Sequence, residues 1–387
     1  MDKFDCVGGY VIKVLQLGMD GQNGVGGIGR YLFEQYKNLD NNVVRYDFLH
    51  MMDEPIAFVE ELSKKSSIFL IPERKFHPFK HYIYLLYFFY KIRKRGYDAI
   101  IMNTGCLSQA LPLLLAKLIG IPMRVIHSHA SGLEGKAGCL RRCQYAVNRK
   151  IVNFSVTEYW ACSKKASEFL FLNKDARIIR NGIDVKKFLF STKIRDKIRS
   201  ELNVDKKFVV GHVGRFSPVK NHLFLLDVFY EFYKSNKNAV LLLVGNDKDF
   251  PNEYYINLLK NKIRDYHLED VVIFTGYKAD VSKYYQAMDL FCLPSISEGL
   301  SICTLEAQAT GLPCIVSTGV PNDVKVSQQV TFLPLNKKEM WIEVFIKAGK
   351  EATFRRDRYV DICRSGYDVR ESTKKLEEHF IEVLGHA

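Results

Sequence analysis

Short apolar runs alternate with segments of helical periodicity along most of the chain. Runs rich in β-branched and aromatic side chains predict buried strands, and apolar positions three or four residues apart predict helices. The predicted strands lie at 10–18, 43–48, 99–103, 124–127, 208–213, 239–244, 271–274, 290–293 and 314–317. The first helix follows at 28–38, and the last is an amphipathic segment at 369–384. Such alternation predicts an α/β protein with doubly wound parallel sheets.

The alternation stops at a polar stretch, residues 191–207, and then begins again. A chain of 387 residues is long enough for two domains of ordinary size. We therefore predict one Rossmann-like domain over residues 1–190 and a second over residues 191–365. Two such domains predict a ligand site in a cleft between them.

Composition favours a cytoplasmic enzyme. The chain begins with charged residues rather than a secretory signal, and no apolar run approaches the roughly 18–20 residues of a membrane span. The nine cysteines are scattered, which predicts reduced thiols in a reducing compartment. Cys139 and Cys143 form the closest pair, but no second pair or histidine cluster completes a zinc site.

The positive charge is concentrated in the first half. Residues 1–190 hold 28 Lys and Arg against 17 Asp and Glu, whereas the whole chain has a net charge of +13. A basic half suits nucleic acid, an anionic membrane or an acidic acceptor. The sequence has no nucleic-acid-binding motif, so we predict no nucleic-acid partner.

Two glutamates follow the predicted strand at 290–293. Glu298 lies in the loop after this strand, and Glu306 lies seven intervening residues later in the next predicted helix. This edge of a parallel sheet is where α/β proteins bind ligands. The amides of Gly299, Leu300 and Ser301 would open the helix and could hold an anion.

Two cations follow the buried strand at 208–213. Arg215 and Lys220 lie in the loop at its end. A diphosphate requires charge neutralisation with directed donors, which an arginine fork and a lysine ammonium provide. A solvated basic loop is the competing interpretation of this segment, as a loop glutamate and a surface-helix glutamate are for the preceding pair.

The two motifs together resemble the nucleotide-sugar site of retaining glycosyltransferases of family 4, which have the GT-B fold. Further matches are the segments 181–184 and 311–317 and the glycine loop at Gly26 and Gly27. The resemblance is closest to bacterial exopolysaccharide and capsule transferases, and it implies that the final segment, 366–387, packs back on the first domain. It also implies a donor-binding second domain, an acceptor-binding first domain and no catalytic metal or other cofactor.

The resemblance also implies roles for individual residues. Arg215 and Lys220 would hold the donor diphosphate, Glu306 the ribose, and Glu298 the donor sugar together with the amides of Gly299, Leu300 and Ser301. Backbone groups near Tyr277 would hold the nucleobase. His129, chosen over His127, would contact the sugar near the reacting bond.

The glycine loop supports a competing interpretation. Residues 24–29 fit the pattern G-x-G-x-x-G after a strand and before a helix, and Asp47 lies near the end of the next predicted strand. This is the dinucleotide-binding arrangement. It keeps an NAD(P)-dependent oxidoreductase as the alternative, although such an enzyme leaves both motifs of the second half unexplained. In a transferase, Gly26 and Gly27 would approach the donor diphosphate.

Two further segments have competing interpretations. Asp247 and Asp249 spell the D-x-D motif of metal-dependent transferases, but a polar turn explains them better. Residues 81–95 are rich in aromatic side chains and end in a basic cluster, which suits peripheral contact with an anionic membrane. A buried helix with a solvated end is the competing explanation.

We therefore predict a cytoplasmic retaining hexosyltransferase, for which peripheral contact with the inner face of the cell membrane through residues 81–95 is one of the two interpretations above. It would move a hexose-type sugar from a nucleotide diphosphate, with UDP as the expected nucleotide, to a glycan or polyprenyl-linked acceptor in exopolysaccharide, capsule or O-antigen synthesis. A non-catalytic sugar-nucleotide-binding protein is a further alternative, against which the set of Glu298, Glu306, Arg215 and Lys220 argues.

Overall fold

The computed structural model describes residues 10–22, 25–132, 138–172, 174–245, 253–278, 280–351 and 355–385. The chain divides into two units. The first comprises residues 1–182 together with 369–387, and the second comprises residues 183–368. These divisions lie eight residues before and three residues after the borders predicted from the sequence pattern.

The first unit is built on a parallel sheet. Its strands are β1 (Ile12–Leu17), β2 (Val44–His50), β3 (Ile68–Leu70), β4 (Ala99–Thr104), β5 (Met123–Ser128), β6 (Glu158–Ala161) and β7 (Arg177–Ile178). Its helices are α1 (Gly27–Asn38), α2 (Val59–Leu62), α3 (Pro78–Ile92), α4 (Leu111–Leu118), α5 (Cys139–Ser155), α6 (Lys164–Phe171) and, from the end of the chain, α14 (Val369–Leu384). The strand order is β3-β2-β1-β4-β5-β6-β7.

The second unit repeats this architecture. Its strands are β8 (Phe208–Val213), β9 (Ala239–Val244), β10 (Val272–Phe274), β11 (Leu290–Leu293), β12 (Cys314–Ser317) and β13 (Val330–Leu333). Its helices are α7 (Thr192–Glu201), α8 (His222–Ser235), α9 (Glu253–Asp265), α10 (Ser282–Ala287), α11 (Ile302–Ala309), α12 (Lys338–Lys350) and α13 (Tyr359–Arg364). The strand order β10-β9-β8-β11-β12-β13 reverses direction between β8 and β11. Both sheets are therefore doubly wound, as predicted.

The polar stretch at 191–207 contains α7 of the second unit and is not an open connection throughout. Ser191 accepts a hydrogen bond from the Ile194 amide and so caps α7. Arg195 and Arg199, one turn apart, both pair with the buried carboxylate of Asp289 at 2.5 and 3.1 Å. Asp289 directly precedes β11, so these ion pairs fix α7 against the sheet that carries the predicted site.

The final helix belongs to the core of the first unit. Leu376, Phe380 and Leu384 recur at helical spacing, and all three are buried with the side chains of β1 and α1. His379 of the same helix bonds the carboxylate of Glu158 at 2.9 Å. The apolar face of the helix at 369–384 thus packs in the core of the first unit, although the last strand of that unit precedes the helix by almost two hundred residues.

Candidate active site

The reversal of strand order in the second unit places two loops side by side. β8 and β11 are hydrogen-bonded neighbours in parallel register. Arg215 and Lys220 follow β8, and Glu298 follows β11, so all three lie at the carboxyl edge where the order reverses. Crevices at such switch points are the usual ligand sites of open α/β sheets.

Lys220 and Glu298 form an ion pair at this edge. The lysine Nζ donates to Glu298 Oε1 at 2.7 Å, and both side chains are largely buried, with 18% and 12% of their surfaces exposed. Burial disfavours the charged lysine, but the charge of Glu298, its hydrogen bond and the nearby Cys303 together outweigh burial, so the pKa of Lys220 is raised above its ordinary value. The predicted cation and the predicted sugar-binding carboxylate thus hold each other in place.

Arg215 is exposed in the same loop. The side chain of the following residue, Phe216, is buried in the core of the unit, which anchors the loop backbone while the guanidinium points away from the core. Ser217 then leads into a single 3₁₀ turn at Pro218–Lys220. The exposed guanidinium of Arg215 thus adds a positive charge beside the Lys220–Glu298 ion pair, and an incoming anion can neutralise it.

Glu306 is held by a tyrosine that the sequence pattern did not single out. It lies on α11, slightly more than one turn from the helix start rather than two, and is buried. Tyr285 of α10 donates a hydrogen bond to Glu306 Oε2 at 2.8 Å. Burial and the charge of Glu306 raise the pKa of Tyr285 well above its ordinary value, so it remains a donor. One carboxylate oxygen is thereby fixed, which orients the other.

The segment between the two glutamates forms a compact turn before α11. Gly299 and Leu300 are buried, and the Ser301 hydroxyl lies 2.7 Å from Thr304 Oγ1. Glu298 donates its own amide to the Gly319 carbonyl at 3.2 Å. The predicted anion-holding amides therefore belong to an ordered turn next to the Lys220–Glu298 pair.

Two buried histidines lie beneath the Lys220 loop. The ring centroids of His212 and His222 are 4.4 Å apart. Burial lowers the pKa of His212 to about 3 and lowers that of His222 well below its ordinary value. A Cβ at Gly214 would lie 3.2 Å from Lys220 Cε and 3.3 Å from His212 Nε2, so glycine permits this close packing. Neutral imidazoles support the lysine without adding charge.

Tyr277 lies in the loop after β10 and is exposed. Gly276 before it has φ +69°, a left-handed conformation that favours glycine. This loop follows the outermost strand of the sheet, two strands from β8. Its backbone is therefore the more distant part of the predicted donor site.

The glycine loop of the first unit already holds a carboxylate. The amides of Gly26 and Gly29, at the start of α1, both donate to Asp20 Oδ2, at 2.8 and 2.7 Å. Gly27 is exposed beside them, and Gly24 lies outside the described residues. The position predicted for a phosphate at Gly26 is thus occupied by the chain's own acidic side chain, which a bound phosphate would have to displace.

Asp47 does not fit the dinucleotide interpretation. It lies in the middle of β2 rather than at its end, and it accepts hydrogen bonds from the Ser67 amide at 2.6 Å and the Tyr97 hydroxyl at 2.8 Å. These contacts are structural and leave the carboxylate buried. The alternative of an NAD(P)-dependent oxidoreductase therefore loses the acidic residue that would bind the ribose.

His129 lies just past β5, at the carboxyl edge of the first sheet. Its Nε2 bonds Asn103 Oδ1 at 3.1 Å, and its Nδ1 has no hydrogen-bond partner among the described residues. Burial lowers the pKa of His129 to about 3. The ring is therefore neutral, with Nε2 protonated and Nδ1 left as an acceptor. His127 is packed between Tyr31 and Trp160 in the core.

Within the described ranges, no group of three or more His, Cys, Asp or Glu side chains could hold a metal ion. Asp247 and Asp249 lie outside those ranges. No helix among the described residues is long and apolar enough to cross a membrane.

Sequence comparison identifies the second unit. Residues 194–347 match the domain family described as Glycosyl transferases group 1. The protein is a glycosyltransferase that contains a group 1 domain over these residues. The matched segment contains Arg215, Lys220, Tyr285, Glu298 and Glu306, so the family assignment covers the whole switch-point site.

The glycosyltransferase is similar to curated bacterial proteins over almost its full length. It is 28% identical to the "Putative glycosyltransferase EpsF" of Bacillus subtilis, over 91% of this chain and 92% of that protein. It is 24% identical to the Escherichia coli "UDP-Gal:alpha-D-GlcNAc-diphosphoundecaprenol alpha-1,3-galactosyltransferase", over 92% and 94% of the two chains. The predicted likeness to exopolysaccharide transferases is confirmed.

A solved structure confirms the fold of the glycosyltransferase. The Anabaena protein HepE, solved in complex with UDP and glucose, matches 95% of this chain and 99% of its own with a TM-score of 0.77 at 19% sequence identity. The two Rossmann-like units with parallel sheets and the similarity to HepE together confirm the predicted GT-B class.

Proposed function

We propose that the glycosyltransferase moves a hexose-type sugar from a UDP-sugar to a lipid-linked or oligosaccharide acceptor in bacterial surface-polysaccharide synthesis, with retention of anomeric configuration. The observation that carries the donor half of this proposal is the Lys220–Glu298 ion pair beside Arg215 at the switch point. The similar proteins support the rest. HepE was solved with UDP, and the Escherichia coli relative is named for a UDP-sugar donor and a diphosphoundecaprenol acceptor.

The donor diphosphate is assigned to Arg215 and Lys220. Breaking the bond between sugar and phosphate leaves negative charge on the departing nucleotide, and fixed cations stabilise that charge in the transition state. Arg215 is exposed and offers a planar fork, whereas Lys220 is held at a defined position by Glu298. These two side chains supply the charge that a divalent metal provides in other transferases, and we therefore propose a metal-independent reaction.

The two glutamates are assigned to the donor hydroxyls. Glu298 accepts from the sugar, together with the ordered turn at Gly299, Leu300 and Ser301, and it lies within reach of the phosphate-binding lysine. Glu306 is assigned to the ribose hydroxyls, with its Oε2 held in position by Tyr285. Tyr277 follows β10, and its backbone is assigned to the nucleobase.

The first unit is assigned to the acceptor. His129 offers Nδ1 as a hydrogen-bond acceptor for a sugar hydroxyl, and its lowered pKa makes it a neutral partner rather than a proton donor. Gly26 and Gly27 are assigned to phosphate only if Asp20 leaves the start of α1, since its carboxylate now takes the amides there.

The test is an assay of UDP release and of product stereochemistry. The purified protein, given a panel of UDP-hexoses and a short polyprenyl diphosphate-linked sugar, should release UDP only when both are present. Proton NMR of the product should show the anomeric configuration of the donor, and EDTA should leave the rate unchanged. Inverted product contradicts the retaining mechanism, and release from no UDP-hexose contradicts the donor assignment.

Tyr285→Phe should raise the KM for the UDP-sugar about tenfold while lowering kcat by less than about threefold. The ribose is bound equally in ground and transition states, so loosening Glu306 weakens uniform binding. The tenfold rise in KM is the size of effect expected when one hydrogen bond to a charged group is lost. Steady-state kinetics measure it, with Tyr284→Phe on the adjacent position of α10 as the matched control. An unchanged KM contradicts the role of the tyrosine.

We further propose that α3 contacts an anionic membrane. One side of this helix is buried, at positions such as Leu85 and Phe89. Large apolar and aromatic side chains elsewhere on the helix are exposed, namely Phe79, Tyr82, Ile83, Tyr84, Leu86, Tyr87 and Tyr90. The basic cluster Arg93–Arg95 follows directly, and α3 contains no acidic residue. Aromatic side chains beside lysine and arginine suit the interface of an anionic bilayer.

Ile83→Glu with Tyr87→Glu should release the protein from vesicles containing anionic lipid. Both side chains are exposed and lie one turn apart, so the fold is unaffected while two charges enter the proposed interface. Cosedimentation with phosphatidylglycerol vesicles measures the effect, and the expected loss is about tenfold or more. Tyr254→Glu, an exposed aromatic position in the second unit, is the control. Equal sedimentation of both variants contradicts the proposal.

A further inference from the structure

Arg355 lies in the segment before α13 and bonds the carboxyl ends of two helices. Its Nη1 donates to the Thr310 carbonyl, at the end of α11, at 2.9 Å. Its Nη2 donates to the carbonyls of Tyr285 at 3.1 Å and Gln286 at 3.2 Å, and to that of Met288, which caps α10. The last carbonyls of a helix have no partner within the helix. One guanidinium therefore satisfies the ends of two helices at once.

These two helices carry the pair of residues assigned to the donor ribose. Tyr285 of α10 donates its hydroxyl to Glu306 of α11 at 2.8 Å, and its own carbonyl is one of the acceptors of Arg355. Thr310 lies one turn after Glu306, and its amide and hydroxyl both donate to the Glu306 carbonyl, at 3.1 and 2.9 Å. A continuous series of hydrogen bonds therefore runs from Tyr285 through Arg355 to the helix turn that contains Glu306.

The backbone next to Arg355 packs directly on the end of α11. Gly311, which follows this helix, has φ +74°, and a Cβ there would lie 2.5 Å from the carbonyl oxygen of Arg356. Glycine thus leaves room for the segment at the helix end. Further along the segment, Arg358 donates to Gln329 Oε1 at 3.0 Å. The guanidinium of Arg355 therefore extends from a backbone that is held on both sides of the contact.

The contacts of Arg355 require a guanidinium rather than any cation. Burial, followed by the nearby charge of Arg195, lowers the pKa of Arg355 to about 9, so the group is still charged at neutral pH. The carbonyl groups at a helix carboxyl end carry partial negative charge, which favours a cation there. A lysine ammonium is a single point charge, whereas the planar fork of arginine can bond two helix ends in one geometry.

The end of α10 is also held from α7. Arg195 and Arg199 donate to carbonyls at this end at 2.7 to 2.9 Å, and both pair with Asp289. These two arginines therefore join α10 to α7 and to the start of β11. Removing Arg355 leaves those contacts in place and takes away its hydrogen bonds between α10 and α11.

We propose that Arg355 is a positioning residue for the donor ribose, because tying α10 to α11 keeps Tyr285 within hydrogen-bonding distance of Glu306. The inference rests on the proposed assignment of Glu306 to the ribose hydroxyls. Arg355 acts through the two helices and is assigned no contact with the nucleotide. Its loss should therefore weaken recognition of the ribose and leave the phosphate-binding cations, Arg215 and Lys220, in place.

The test is calorimetric titration of the full chain with UDP and with 2′-deoxy-UDP, which lacks one ribose hydroxyl. The wild type should bind UDP about tenfold more tightly, as expected for one hydrogen bond to a charged group. Arg355→Met should bind UDP about tenfold more weakly but 2′-deoxy-UDP within about threefold of the wild type, so that discrimination is largely lost. Arg364→Met, at an exposed position of α13, is the matched control and should discriminate like the wild type.

Two further variants test folding and coupling. Arg355→Lys keeps the charge but not the fork, so it should also lose discrimination, and it covers the case in which Arg355→Met fails to fold. Adding Tyr285→Phe to the Arg355 variant should weaken UDP binding little further, because both changes act on the same contact.

Discrimination equal to that of the wild type in the Arg355 variants would overturn the inference, and so would losses from the Arg355 and Tyr285 changes that add in full. In both cases the wild type still binds UDP and prefers it, so the proposed donor assignment survives. A wild type that binds both nucleotides equally would contradict the assignment of Glu306 and the inference with it. A wild type that binds no UDP would contradict the proposed donor and the inference together.

Discussion

Replacing Arg215 by alanine should lower kcat/KM for sugar transfer by about 10²–10³-fold. Removing one donor that stabilises transition-state charge costs this much in other enzymes, and here the charge is that of the departing diphosphate. The side chain is exposed, so the melting temperature should not change. Initial rates of UDP release measure the first quantity, and thermal unfolding measures the second.

Arg264→Ala provides the matched control for this experiment. Arg264 is exposed on α9 of the same unit, at a distance in sequence from the switch-point loops. The control variant should transfer sugar at the wild-type rate. A fully active Arg215→Ala enzyme would remove this residue from the site and leave Lys220 as the one predicted cation there.

Changing each partner of the Lys220–Glu298 ion pair alone should affect UDP binding and sugar transfer differently. Lys220→Met should weaken UDP binding about tenfold to a hundredfold, since it removes a charged donor to the diphosphate. Glu298→Gln should leave UDP affinity unchanged or slightly higher, because Lys220 is then freed from its ion pair. It should nevertheless lower the transfer rate about a hundredfold through loss of the sugar contact.

Calorimetric titration with UDP and steady-state rates measure the two effects separately. Glu269→Gln, an exposed carboxylate of the same unit, is the control and should alter neither. Weaker UDP binding in both site variants would mean that the ion pair is mainly structural. In that case each variant would also have a lower melting temperature, because removing one partner of a largely buried pair leaves the other charge unpaired.

The strands that carry the site were predictable because they are fully buried. β9 and β11 are continuous apolar runs, β8 and β12 are largely apolar, and the predicted bounds of all four agree with the structure. Parallel strands buried on both faces produce that signal. The strand order then follows from right-handed crossovers, and it places the loops after β8 and β11 together. This is why residues about eighty positions apart were expected at one site.

Other features depend on contacts that no local pattern contains. β3, β6, β7 and β13 are short strands with exposed or half-buried positions, so they lack a clear apolar run. Asp20 caps α1 from outside the glycine motif, and only the folded loop shows that its carboxylate takes those amides. Tyr285 is one of several tyrosines in its segment, and its role depends on the packing of α10 against α11.

The most direct test of the central claim is a thermal-shift panel of UDP, GDP, ADP, UDP-sugars and NAD(P). A ligand at a hundred times its Kd stabilises the folded state by about 2.7 kcal/mol, which raises the melting temperature by several degrees. We expect stabilisation by UDP and by one UDP-sugar, and its loss in Lys220→Met. Stabilisation by NAD(P) alone would contradict the account and direct attention to the glycine loop of the first unit.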